Sequence, residues 1–194
     1  LDLVNRLIGL KTFKDKIKLS TYPSLEAQIS AISDDIAYNN HDIQDGIKAN
    51  LFKLEELIEI DFFKSIYLKY KNKINKTNYK IATYQIVRDS IDLMIRDLLA
   101  NTKKNLKDQK IKSIKDIGIA TKPMVSFSEK IQISEREIKL FLRTKMYQNK
   151  TVLRKNQKGK VIVKKLFNII KSNPRKFIAK DHLTKDKYRA ISDF

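Results

Sequence analysis

SLEAQISAISDDIAYNNHDIQDGIKANLF, residues 24–52, is the stretch from which the rest of the chain is read. Pro23 and Ser24 mark a helix start, since proline is tolerated in a first turn whose amides have no intrahelical acceptor. The spacing predicts a helix from about Ser24 to Lys48, with Leu25, Ile29, Ile32, Ile36, Ile43 and Ile47 in a narrow arc at 3.6 residues per turn. That stripe faces a core. With Leu25 set to zero on a helical wheel, Asp34 falls at about 180°, Tyr38 at about 220° and Asp42 at about 260°. A carboxylate, a phenol and a second carboxylate therefore stack across from the apolar residues, with Ala27, Ala31 and Asp45 in the same sector.

A solvated surface face is the ordinary reading of such a ridge. Three details oppose it. Residues 19–47 hold Glu26, Asp34, Asp35, Asp42 and Asp45 but no Lys or Arg to form i,i+4 pairs, in a chain of formal charge +19. Tyr38 is large for a purely solvated position, and Asn39-Asn40 are poor mid-helix residues. Local rules broken together point to a site.

Outward from this segment the chain stays helical. Four Gly and three Pro in 194 residues leave little turn punctuation. A second helix is expected from about Asn50 to Lys73, with Leu51, Leu54, Leu57, Ile58, Phe62, Ile66 and Tyr70 inside. A third is expected from about Thr77 to Leu106, using Tyr84, Val87, Ile91, Met94, Ile95 and Leu98. Residues 107–128, with Gly118 and Pro123, read as an irregular connector crossing the surface. Ser134 and Glu137 have capping-box spacing, opening a helix through Ile138, Phe141, Leu142 and Met146. Val161 to Lys171 is a further amphipathic stretch, ended by Asn173-Pro174. The fold class is all-α.

Composition sets the outer limits. At 194 residues and 42% hydrophobic content the chain can bury one sizeable core. Without Cys there is no disulfide framework, thiolate metal site or cysteine nucleophile, and a cytoplasmic location fits. No apolar run approaches the roughly 18 to 20 residues of a membrane span, so no membrane partner is expected. The 41 Lys+Arg include only eight Arg, and a lysine excess of this kind reads first as coding bias. Polyanion binding through Lys155, Lys158, Lys160, Lys164, Lys165, Lys171 and Lys176, or an oligomerisation role for the same basic module, is the alternative. Only two histidines occur, His41 and His182. His41 points near the direction of Asp34 but nearly two turns away, so any metal centre must draw ligands from outside this helix.

Residues 24–52 closely resemble the helix that closes the active site in bacterial deoxyguanosine triphosphate triphosphohydrolase-like proteins of the HD superfamily. FLRTKMYQNKTV, residues 141–152, is similar to that family's later substrate helix, and PMVSFSEK before it and LFNIIKSNP after it fall in family order. The resemblance implies an HD-domain-type helical assembly and hydrolysis of a deoxynucleoside triphosphate to deoxynucleoside and triphosphate. It implies a divalent ion, Mg, Mn or another transition metal, that orients the attacking water. Asp34 matches the distal metal-ligand Asp; shifting the register by one makes it Asp35. Tyr38 and Asp42 match positions touching the nucleotide's phosphate and sugar. Tyr147 matches a tyrosine packed on the deoxyribose, while Lys139 and Arg143 match triphosphate contacts, Lys139 more closely. Without the family, Tyr147 reads as core and the two cations as a solvated edge.

The family's earlier His and His-Asp ligands are missing from this sequence, and relatives continue past ISDF at residues 191–194. The expectation is a fragment, inactive alone, of an active triphosphohydrolase. Its parts are then 1–106, the C-terminal part of an HD-type catalytic domain; 107–128, a connector; and 129–194, a helical substrate region. A homo-oligomer, and a nucleotide or single-stranded nucleic-acid effector, are the partners implied beside the deoxynucleoside triphosphate.

Overall fold

The computed structural model describes residues 21–75, 78–179 and 186–193; His182 lies outside the described residues. Helices α1 (Leu25–Lys48), α2 (Asp61–Tyr70), α3 (Tyr79–Asp108), α4 (Ile114–Gly118), α5 (Glu129–Leu142), α6 (Lys150–Ser172) and α7 (Lys187–Asp193) follow in chain order. Short 3-10 turns at Leu54–Glu59, Lys71–Lys73 and Pro174–Lys176, and a π-helical turn at Arg143–Tyr147, complete the described structure. No strand occurs among the described residues, so the fold is all-α as expected. The chain divides into two compact units, the first ending at Leu142 and the second beginning at Arg143.

In the first unit α1 packs along α3, and α2 against α3 and the 54–59 turn. Ile36, Ile43 and Ile47 of α1 are buried, as are Ile86, Val87, Met94 and Leu98 of α3. Leu54, Leu57, Phe63 and Ile66 fill the core beside them. The helix expected over 50–73 is broken. Asn50 adopts the left-handed region at φ 54°, and Lys53 and Ile60 are extended. Two interactions hold the break: Lys53 N donates to Glu56 Oε1 at 2.7 Å, and Leu54 N donates to the Tyr79 hydroxyl at 2.8 Å. Periodicity runs on across it because both pieces bury apolar residues on the same core. Several residues expected inside are exposed, among them Ile29, Ile58, Tyr84 and Ile95.

The 107–128 segment does more than cross the surface. Ser113 and Asp116 form a capping box that opens α4, and Met124 and Val125 are buried. Gln28 Oε1 of α1 accepts from Met124 N at 2.9 Å and Val125 N at 3.1 Å, while its Nε2 donates to Pro23 O at 2.8 Å. One buried carboxamide thereby satisfies two core amides that helix or sheet would otherwise have to pair. Helix α5 begins five residues before Ser134. The Asp97 carboxylate of α3 caps its start, accepting from Ser128 N at 2.8 Å and Ser128 Oγ at 2.6 Å. Ser134 Oγ instead donates to Lys130 O inside the helix.

In the second unit α6 is longer than the 161–171 stretch expected from sequence. It starts at an Asn149 cap, whose Oδ1 accepts from Thr151 N at 2.9 Å, and stops before Pro174 as anticipated. Ile170, Ile178 and Ile191 form a small buried cluster with Phe167 against it.

Candidate functional site

Burial of Ile36 and Ile43 sets the rotation of α1 and turns the opposite ridge outward. Asp34 is exposed, Tyr38 is 68% exposed, Asp42 is half-buried and His41 is exposed. Three predicted residues thus share one ridge. A phenol so open to solvent on a helix held firmly from behind is available to a ligand.

Asn39 and Asn40 have a different role from the one their helix propensity suggested. Both are buried on the core side, where Asn40 Nδ2 donates to Ile36 O at 2.8 Å and meets Met94 Sδ at 3.6 Å. Gly46, one turn beyond Asp42, lets the Phe52 ring approach so closely that an added Cβ would lie 2.2 Å from its Cε1. Phe52 in turn packs edge-on to Phe141 of α5, ring centres 5.0 Å apart. This contact seats α5 against α1.

Lys139 lies on that seated helix. Its ammonium donates to Asp35 Oδ2 at 3.1 Å and also pairs with Glu135, one turn earlier on α5. Burial by itself would lower the Lys139 pKa, but hydrogen bonds to Glu135 and then Asp35 outweigh it and hold it above the ordinary lysine range. The Glu135 spacing was readable as an i,i+4 pair. Asp35 was not, because it stands 104 residues away. Arg143 and Tyr147 belong to the π-helical turn that opens the second unit, Arg143 exposed and Tyr147 49% exposed. Asp34, Tyr38, Asp42 and Lys139 therefore belong to the first unit, where Lys139 reaches α1 at Asp35, and Arg143 and Tyr147 belong to the second.

The described residues do not build a metal centre. No group of three His, Asp or Glu able to hold an ion occurs among them, and Asp34 offers a single exposed carboxylate where tight binding takes three or four ligands. Separately, a groove of about 800 Å³ lies between α2, α3 and α5, lined by Phe62, Ser65, Arg96, Asp97 and Ser134. None of the predicted site residues lines it. No helix among the described residues is long and apolar enough to cross a membrane.

Residues 125–194 match the family described as Phosphohydrolase-associated domain. Over all 194 residues the chain is 60% identical to a deoxyguanosinetriphosphate triphosphohydrolase-like protein of Pelagibacter ubique, covering 52% of that protein. A protein of the same name from Leptospira interrogans is 33% identical over 178 residues, 89% of this chain and 47% of the relative. One from Rickettsia prowazekii is 31% identical across the whole chain, which covers 52% of it. The chain thus spans about half the length of these relatives, and the resemblance expected from residues 24–52 extends over its whole length.

Proposed function

We propose, from the premise that the chain is a dNTP triphosphohydrolase-like protein, that it supplies the nucleotide-facing half of a site hydrolysing a deoxynucleoside triphosphate to deoxynucleoside and triphosphate. The observation that carries this reading is the outward ridge of Asp34, Tyr38 and Asp42 on a helix whose other side is buried. In the reading, Asp34 contributes one carboxylate toward a divalent ion whose other ligands lie beyond the described residues. Bound in a complete site, the ion would polarise the phosphate under attack and the water that attacks it.

The chain's own groups bind and orient. Asp42 accepts a hydrogen bond from a sugar hydroxyl, and the Tyr38 phenol donates to a phosphate oxygen. Lys139 neutralises charge on the triphosphate. Assaying dGTP with manganese for release of intact triphosphate tests the reading. No turnover is expected from the 194 residues by themselves. Turnover is expected from a protein that also carries the other ligands, falling by roughly 100-fold or more on Asp34→Ala, since loss of a metal ligand costs at least as much as loss of the partners that orient it. Unchanged turnover in Asp34→Ala would sink the assignment.

A second reading has its own observation. No Asp or Glu occurs from Ile138 to Lys180, so Lys155, Lys158, Lys160, Lys164, Lys165, Lys171 and Lys176 stand in an acid-free stretch. A non-catalytic polyanion-binding or oligomerisation module would use them, with affinity for nucleic acid falling steeply with salt and unaffected by Asp34→Ala.

A further inference from the structure

The ammonium of Lys139 has three N–H donors and two resident carboxylates. The two partners are unequal. Glu135 sits on the same helix and its side chain is only 13% exposed, so leaving the cation would strand a nearly buried charge. Asp35 comes from α1 with its side chain 53% exposed, and water can replace the ammonium there at little cost. Formal charge sharpens the contrast. Asp35, Glu135 and Lys139 sum to −1, whereas Lys139 with Glu135 alone is neutral.

We propose that Asp35 is an internal competitor for the anion position on Lys139, so that a phosphate-bearing ligand enters by displacing one carboxylate while Glu135 keeps its bond. The inference rests on the reading of Lys139 as a triphosphate contact. Binding is then an exchange of one oxyanion for another, with no proton transferred. Asp35 returns to water, and a phosphate oxygen takes its place. A chain of phosphates competes better than a single one, because its charge toward the ammonium exceeds that of a lone carboxylate. Asp35 thereby raises the concentration at which any phosphate-bearing anion can take this position beside Asp34.

The test follows the side-chain ammonium NMR signal of Lys139, assigned through Lys139→Met, while inorganic tripolyphosphate or orthophosphate is added to the 194-residue chain. Tripolyphosphate is expected to shift the signal at lower concentration than orthophosphate. Asp35→Asn should lower the midpoints of both anions several-fold. Asp45→Asn changes the net charge equally from ten residues further along α1, and should move the midpoint much less. Equal midpoints for Asp35→Asn and Asp45→Asn would overturn the competitor role while leaving Lys139 a phosphate contact. A Lys139 signal that ignores both anions in every variant would overturn the phosphate contact as well. Should Asp35→Asn fold poorly, the wild-type carboxylate signals decide. Asp35 must shift in step with Lys139 while Glu135 stays, and movement of Glu135 in place of Asp35 contradicts the proposal.

Discussion

Helices α1 and α6 are nearly equal in length, 24 and 23 residues, and both are strongly two-faced, yet α1 buries seven residues and α6 buries only Ile170. The apolar residues Ile162, Val163, Leu166 and Ile169 of α6 stay open, while Ile36, Ile43 and Ile47 of α1 are closed under α3 and its neighbours. Periodicity in a sequence names a face; the covering element decides whether the face contributes to stability. Charge separates the two helices as well. Lys48 is the one Lys or Arg of α1, whereas α6 has lysine on most of its turns and no acid to offset it.

The widest separation is expected from matched truncations. Ile43→Ala, at a fully buried position, should lower the unfolding free energy by about 2–5 kcal/mol, and Ile162→Ala should stay within about 0.5 kcal/mol. Urea unfolding followed by helical circular dichroism measures both, and comparable losses would show that α6 is as well covered as α1. The glycines form the next pair. Gly46→Ala drives a Cβ into the Phe52 ring and should cost about 1–3 kcal/mol, partly offset by helix propensity. Gly159→Ala meets nothing within 4 Å and should stabilise α6 by about 0.5–1 kcal/mol. If both substitutions move stability the same way, the contrast in packing is wrong.

Local signals should matter more where packing gives less. The Asn149 cap of α6 is short, at 2.9 Å, whereas Ser24 of α1 reaches Ala27 N only at 3.4 Å. Asn149→Ala is expected to cost about 1 kcal/mol and to fray the first turn of α6, visible as faster amide exchange there. Ser24→Ala should do less.

The smallest effect is a titration. Hydrogen bonds from the backbone of Lys112, then from the side chain and backbone of Ser113, hold the Asp116 carboxyl below its ordinary range. A depressed folded value means that the cap's contribution is complete above the unfolded pKa and fades as pH falls through the folded one. The amides of Lys112 and Ser113, which donate to Asp116 Oδ2 at 2.9 and 2.8 Å, should lose their protection in that acid window while α1 keeps its own. Protection that persists to full protonation would mean that α4 does not depend on its cap.

What could be foreseen in the sequence divides along the same line between local and distant causes. The bounds of α1 and the exposure of Asp34 and Tyr38 follow from spacing alone, since a wheel needs no neighbour. Asn39 and Asn40 were misread because propensity treats a helix as isolated, and here Asn40 bonds its own helix under the cover of Met94. The start of α5 escaped because its cap, Asp97, stands 31 residues earlier than Ser128. The break near Ile60 escaped for a subtler reason. Tyr79 and the core reward the same apolar positions in either conformation, so period alone cannot detect it. In the candidate site, Lys139 was named as a cation; Glu135 went unnamed although its i,i+4 spacing is local, and the pairing with Asp35 exists only once α5 crosses α1.

Gln28 carries a consequence for the order of folding. Its bonds to Met124 and Val125 join points 96 and 97 residues apart. Closing so long a loop is entropically unrewarded until the intervening helices have already brought its ends together. The carboxamide is therefore expected to join late, after the pairing of α1 with α3, and pulse-labelled exchange that protects the Met124 and Val125 amides before those of α3 would contradict this order. The side chain acts as a check on register, because a helix docked one turn out of place would leave two buried amides unanswered.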